Sequence, residues 1–444
     1  MKINTLYDIS ILGISHRDHK NFGISRTTEA LLRSLLDRPD LSIAASSDLS
    51  FNVWYYARIY LENSDFSDRL PWRSNSLNAQ VRDKITQLFL KEEKFSKFIQ
   101  FLQKHKIIKD PQKIYELYNL RNQFVNYKFR GTPAYRLSNI NIYHSSYYPV
   151  PEVVKSNKKI KSILTVHDLI PILHPEWCGM LGNEIKYFHP EFNLPKTLQT
   201  INQDTWIVCP SQATKNDLCE YVGDRLDPAK VFVTPWAASA SFYPCDDLAK
   251  IASMKQKYNI PDVQYLLCLS TIEPRKNVDG IIRAFREAIK QEKIYDLAIV
   301  IAGAFGWQYE PILREAKRFP RLAPRIIFTG HVEESDLAAL YSGALMFVYP
   351  SFYEGFGLPP LEAMQCGTPV ITSNNTSLPE VVSDAALLVN PRDEDDIAHS
   401  ILKIYQSSQL RAEFSQKSLQ RAQQFSWKLC ADKTVSVYNQ ALNS

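Results

Sequence analysis

The stretch YPSFYEGFGLPPLEAMQCGTPVITSNN, residues 349–375, decides how the chain is read. The apolar run Leu345 to Tyr349 is short and β-rich enough to be a buried strand, and Pro350 ends it. A loop carrying Gly355 and Gly357 follows, then a helix with Pro359 and Pro360 at its start and Gly367 just past its end. Early proline and late glycine suit a helix, because the first N–H groups lack partners and the residue after the last turn needs a positive φ. Val370 to Thr372 reads as the next strand. The N–H groups of Gly357, Leu358 and the first helical turn are predicted to face outward and to suit an anion. Glu354 and Glu362 would repel a phosphate, so as ligand groups they suit sugar hydroxyls. Taken singly, Glu362 in the first helical turn complements the helix dipole and Glu354 is solvated.

Taken together, Glu354, Glu362 and their setting resemble the Glu-x7-Glu signature of the retaining glycosyltransferases of family four. The likeness continues through SLPEVVSDAALLVNP, some forty residues in all. The resemblance implies a GT-B fold: an α/β protein of two Rossmann-like, doubly wound parallel-sheet domains facing a cleft. It gives Glu354 the donor sugar, Gly355, Phe356, Gly357 and Leu358 the diphosphate, and Glu362 the ribose.

With 444 residues, 45% hydrophobic and 22% charged, two soluble domains are expected. A net charge of +5 without any nucleic-acid motif argues against a nucleic-acid partner. Seven cysteines lack metal spacing, which points to a reducing compartment. The N-terminus reads as a first strand rather than a signal peptide, and no apolar run is long enough to span a membrane.

In the N-terminal half, Ile9 to Ser15 reads as a strand, His16 to Gly23 as a polar loop, and Ser25 to Leu36 as a helix with Leu31, Leu32, Leu35 and Leu36 on one face. GISRTTEALL resembles the family's glycine loop beside the donor, with Gly23 the remaining glycine. Residues 75–135 break the alternation and read as a basic helical insertion. Between Val81 and Arg130 Lys and Arg exceed Asp and Glu by seven. A solvated helical face is the plain reading, and contact with an anionic lipid surface or acceptor is the functional one. Strands follow at Ile142 to Ser146 and Ile160 to Val166. The latter ends in HDLIPILHPE, which resembles the family's central motif and brings His167 beside the donor sugar. Trp206 to Cys209 is a strand, Ser211 caps the next helix, Val231 to Thr234 is the last strand, and the interdomain linker falls near 235–260.

The C-terminal half alternates strand and helix without interruption, the pattern of a parallel doubly wound sheet. After its first strand comes STIEPRKN. Arg275 and Lys276 there suit a departing diphosphate. The family commonly has Arg and, five residues on, Lys; Lys276 matches, Thr271 stands in the Arg position, and Arg275 is the substitute. The turn is similar to that of a subset with mannosyl or rhamnosyl specificity. Gly330-His331-Val332 resembles the turn that reads the base. Asp393-Glu394-Asp395 caps a helix rather than binding a metal, and the tail is an amphipathic helix.

The resulting expectation has an acceptor-side domain at 1–240, a nucleotide-sugar domain at 241–425 and a terminal helix at 426–444 returning to the first. The function expected is a retaining, metal-independent glycosyltransferase without a cofactor. It would move a hexose from a nucleoside-diphosphate sugar to a hydroxyl of a glycan, glycolipid or small molecule, with His167, Arg275, Lys276 and Glu354 catalytic. Gly23, Thr271, His331, Val332, Gly355, Phe356, Gly357, Leu358 and Glu362 would bind the donor. A cytoplasmic location, with peripheral contact at the inner membrane face, goes with it. The alternatives are a nucleotide-sugar epimerase or hydrolase on the same fold, and a non-catalytic nucleotide-sugar-binding subunit.

Overall fold

The computed structural model describes residues 2–18, 23–47, 51–72, 101–105, 113, 137–178 and 194–444. The basic insertion expected at 75–135 lies almost wholly outside these residues. Among the described residues twelve strands form two parallel six-stranded sheets. The first contains β1 (Ile3–Asp8), β2 (Leu41–Ser46), β3 (Ile142–Ser145), β4 (Lys161–Thr165), β5 (Trp206–Cys209) and β6 (Val231–Val233), in the order β2-β1-β3-β4-β5-β6. The second contains β7 (Gln264–Leu269), β8 (Leu297–Ala302), β9 (Ile326–Gly330), β10 (Met346–Tyr349), β11 (Val370–Ser373) and β12 (Ala386–Val389), in the order β12-β11-β10-β7-β8-β9. This is the α/β, doubly wound arrangement expected of a GT-B fold.

Chain contacts divide the protein into two compact units. One comprises Met1–Thr165, Lys196–Ile207 and Val435–Ser444; the other comprises Val166–Pro195 and Val208–Thr434. In the second unit the strands are apolar on both faces. Tyr265, Leu267, Phe347 and Tyr349 enter one core, and Leu266, Cys268, Met346 and Val348 the other. Such two-sided burial is what near-continuous apolar runs mean in a parallel sheet flanked by helices. The order of this sheet reverses between β7 and β10, and open α/β sheets bind ligands outside the carboxyl ends of strands at such a reversal. The region expected to be linker holds a helix, Leu248–Lys257, capped by the Asp247 side chain on Lys250 N. Asp393 caps the helix Glu394–Gln406 by accepting from Asp395 N and Asp396 N, each at 3.1 Å. Among the described residues no helix is long and apolar enough to cross a membrane.

The strand expected at Ile9 to Ser15 is a helix, Ser10–Arg17, and the first strand is Ile3–Asp8. A short apolar run does not by itself distinguish the two states. The turn between them is made by Asp8, whose Oδ1 accepts from Ser10 N at 2.9 Å and Ser10 Oγ at 2.6 Å. Gly13 then lets the helix lie against Phe51–Asn63: a Cβ there would meet Ala57 N at 2.5 Å.

Asp8 is 2% exposed, and burial pushes its carboxyl up from 3.8 to about 6 against the two Ser10 hydrogen bonds. A raised acid pKa means that, between these values, the folded protein holds a proton the unfolded chain has released. Stability therefore falls as pH rises through that window and levels off above it. Asp8→Asn, which keeps the acceptor oxygen, should flatten this slope and stabilise the protein at pH 7 by up to about 3 kcal/mol. Urea unfolding at pH 4, 5, 6 and 7 reads this directly; a variant less stable than wild type at pH 7 would show that the charge is compensated.

Candidate functional site

In the loop between β10 and the helix Leu358–Gln365, Phe352 N donates to Arg275 O at 2.9 Å and Glu354 N to Thr376 Oγ1 at 3.3 Å, and from Glu354 onward the carbonyls are taken up. Ser377 Oγ lies 2.8 Å from Glu354 O and 2.7 Å from Phe356 O. Ser211 Oγ and Thr214 Oγ1 lie 2.7 and 3.0 Å from Gly355 O. Three consecutive carbonyls are thereby taken up by side-chain hydroxyls. Ser211 also caps the helix Gln212–Val222 through Thr214 N, as expected. Among the described residues the N–H groups of Gly355, Phe356, Gly357 and Leu358 donate to no acceptor, and Pro359 and Pro360 have none to donate. Successive free N–H groups running into a helix N-terminus form a partially positive nest suited to an anion.

Two glycines make that loop possible. Gly357 sits at φ +119°, a conformation L side chains rarely adopt. A Cβ at Gly355 would lie 2.5 Å from His167 O and 2.7 Å from Asp168 Cβ, so only glycine lets the loop meet the end of the 161–169 segment. His167 itself is buried with its ring centroid 5.3 Å from that of Trp236, which in turn packs on Phe356. Asp168 Oδ1 accepts from Ile170 N at 2.9 Å, and burial raises its carboxyl.

Beside the nest, four donors converge on one oxygen. Glu354 Oε1 lies 2.5 Å from Lys276 Nζ, 2.9 Å from an Arg275 terminal nitrogen, 2.9 Å from Tyr349 OH and 2.7 Å from Ser351 Oγ. Burial would raise the Glu354 carboxyl, but Arg275 and Lys276 outweigh it and hold the carboxyl at about 2. Lys276 Nζ also reaches Tyr349 OH at 2.6 Å; burial, and then the charge of Arg275, push its ammonium down. Arg275 completes its set with Glu273 Oε1 at 2.8 Å and Tyr353 O at 2.7 Å; the carboxylates of Glu354 and Glu273 overcome burial and keep it firmly protonated. The four ion-paired groups, Glu273 and Glu354 against Arg275 and Lys276, balance in charge, and the buried Asp168 carboxyl, pushed up by burial, lies within reach of their field. Arg275 and Lys276, expected to face a departing diphosphate, are ion-paired with Glu273 and Glu354 and nearly buried.

The structure thus brings together His167, Arg275, Lys276, Glu354, Gly355, Phe356, Gly357 and Leu358. Thr271 is exposed in the loop after β7, two residues before Glu273. His331 is exposed and Val332 buried beyond β9, the edge strand, after Gly330 at φ +69°. Gly23 begins the helix Gly23–Leu36 of the first unit. Glu362 lies one turn deeper than expected, 2% exposed, with Oε2 accepting from Tyr341 OH at 3.0 Å. Sequence reasoning missed Glu273, Tyr349, Ser351, Ser377 and the Gly355-facing role of Ser211 and Thr214.

Residues 250–421 match the family described as glycosyl transferases group 1. O-antigen chain mannosyltransferase B of Escherichia coli is 33% identical over 300 residues, 67% of this chain and 74% of the relative. The serotype-specific mannosyltransferase WbdA of Escherichia coli is 34% identical over 305 residues; the alignment takes in 68% of this chain but only 36% of WbdA. Among solved structures, Anabaena Alr3699/HepE in complex with UDP superposes with a TM-score of 0.62 at 15% identity, over 99% of this chain and 100% of that one.

Proposed function

Because the chain belongs to the glycosyl transferases group 1 family and is a glycosyltransferase, we propose that it transfers mannose from a nucleoside-diphosphate donor to a hydroxyl of a glycan acceptor. In this reading the anomeric configuration is retained, no divalent metal is required, and the enzyme works on the cytoplasmic side. Mannose is suggested by the two mannosyltransferase relatives and by the Thr-Ile-Glu-Pro-Arg-Lys-Asn turn. A nucleotide donor is suggested by the UDP complex of the structural neighbour.

The observation that carries the proposal is the nest at Gly355–Leu358 set beside the Glu354 cluster. The four N–H groups would receive the diphosphate where negative charge develops as the glycosidic bond breaks. Fixed donors aimed at developing charge need no reorganisation during reaction. Since Arg275 and Lys276 are matched by carboxylates, the backbone would supply much of the positive potential a metal supplies elsewhere. Glu354 Oε1 is saturated, which leaves Oε2 to orient a sugar hydroxyl. His167 would line the same corner. Chemistry would then rest on positioning and leaving-group stabilisation, with no protein nucleophile.

The test is release of nucleoside diphosphate from GDP-, UDP-, ADP- and dTDP-sugars, with and without glycan acceptors, in excess EDTA. We expect acceptor-dependent release from the mannose donor, undiminished by EDTA, with an α product from an α donor. Acceptor-independent release would favour a hydrolase, and activity restored only by added magnesium or manganese would remove the metal-free reading.

A further inference from the structure

The loops that follow β10, β7 and β8 are neighbours at the carboxyl end of the second sheet, because the strands are adjacent in that order. The last two are joined through their backbones. Ile272 N donates to Ala304 O at 2.9 Å, and Gly306 N donates to Ile272 O at 3.0 Å. A Cβ at Gly306 would stand 2.7 Å from Thr271 Cγ2, so glycine permits the approach. The next residue, Trp307, sends its indole N–H to Glu273 Oε2 at 3.2 Å. Glu273 Oε1 accepts from Arg275 at 2.8 Å, and the other terminal nitrogen of Arg275 reaches Glu354 Oε1 at 2.9 Å. An alternating string of indole, carboxylate, guanidinium and carboxylate therefore crosses three loops and ends on Glu354.

Each link limits the freedom of the next. Both Glu273 oxygens are engaged, one by Trp307 and one by Arg275, which fixes the plane of the carboxylate. The side chains of Glu273 and Arg275 are only 12% and 14% exposed, so water does little to screen the pair. Without Glu273, one fork of a nearly buried guanidinium would lose its counter-charge, and the angle at which Arg275 meets Glu354 would no longer be held from the other side. We infer that Glu273, held by Trp307, is a positioning residue for transfer: it fixes Arg275 against Glu354 and so sets the direction of the Glu354 carboxylate. The inference rests on the glycosyl-transfer reading of Glu354.

Trp307→Phe removes the indole N–H and keeps a ring; Glu273→Gln removes the charge and keeps an acceptor. The two variants and their double are compared with wild type in steady-state transfer and in urea unfolding. Each single variant should lower kcat by ~10–100-fold, the scale of a small misplacement at a reacting centre, with donor KM changed less than threefold. The double variant should be no worse than Glu273→Gln alone, because two breaks in one string do not add. A raised KM with unchanged kcat would make Glu273 a donor contact and overturn the inference. So would losses that multiply in the double variant, or kcat unchanged in both singles. If wild type transfers from no nucleoside-diphosphate sugar, the function reading fails separately. The urea midpoints then decide the string: additive shifts remove it, and non-additive shifts retain the fixing of Arg275 by Glu273.

Discussion

Glu354→Gln is expected to lower kcat for sugar transfer by ~10²–10³-fold, the range seen when one fixed partner of a transition state is lost. Its affinity for the free nucleoside diphosphate should not fall. The carboxylate is the point where Arg275, Lys276, Tyr349 and Ser351 meet. Glutamine keeps an acceptor for the two hydroxyls but cannot neutralise the two cations. The cluster then changes from balanced to one net positive charge, with Glu273 the remaining carboxylate. An anion entering the neighbouring nest meets more positive potential, not less, while on the proposed reading the sugar loses the group that orients it. Interactions strengthened in the transition state act on kcat, whereas uniform ones act on binding.

The same substitution carries a structural cost. Removing one partner of a buried ion pair leaves the other uncompensated, at about 3–5 kcal/mol. The melting temperature should drop accordingly, and kinetics belong well below it. The pH sign follows from the depressed carboxyl. Glu354 contributes stability that is fully present above its ordinary value of 4.5 and is lost as pH falls through about 2. The variant should lack that portion of the acid loss. An unchanged kcat in folded Glu354→Gln protein would remove Glu354 from the chemistry.

What was legible in the sequence is what local pattern determines. The strand, loop and helix from Met346 to Gln365 depend on Pro350, Gly357 and the paired prolines, all within one window, and they stand as expected. The helices at Val278–Gln291 and Glu334–Ser342 and the strand Leu297–Ala302 belong to the strand–helix alternation read for the C-terminal half. At the amino end the pattern was ambiguous. Ile9, Ile11, Leu12 and Ile14 are all fully buried, and a helix buried on every side has no period to read. The pinning of the loop after β10 was out of reach for another reason. Ser211 and Gly355 are separated by 144 residues, and a lone serine carries no signal of its distant partner. Charge was the subtler loss. Arg275 and Lys276 look like free cations in a turn, and only the fold shows Glu273 and Glu354 closing on them. Glu362 resembles a ribose ligand by spacing, yet its burial against Tyr341 depends on a helix the motif does not contain.

Lys276→Ala is the complementary change and should separate charge from orientation. Lys276 is 8% exposed, with Nζ on Glu354 Oε1 at 2.5 Å and Tyr349 OH at 2.6 Å. Its removal leaves Glu354 with Arg275, Tyr349 and Ser351, so the carboxylate stays ionised near neutrality but moves upward from about 2 as one of its two cations is lost. The cluster now carries one net negative charge beside the nest. Free nucleoside diphosphate should therefore bind more weakly, the opposite of Glu354→Gln, and kcat should fall by ~10²–10³-fold as leaving-group stabilisation is lost. Lys276→Met, which fills the space without the charge, tells packing from electrostatics: it should recover stability relative to Ala and recover neither affinity nor turnover. Calorimetry with the free nucleotide at pH 7, alongside donor kinetics, reads both quantities. Weaker binding in Lys276→Ala with undiminished binding in Glu354→Gln is the signature of a balanced cluster whose net charge tunes the backbone nest. Equal losses of affinity in the two variants would mean that both residues act by shaping the loop, and that their charges do not reach the diphosphate.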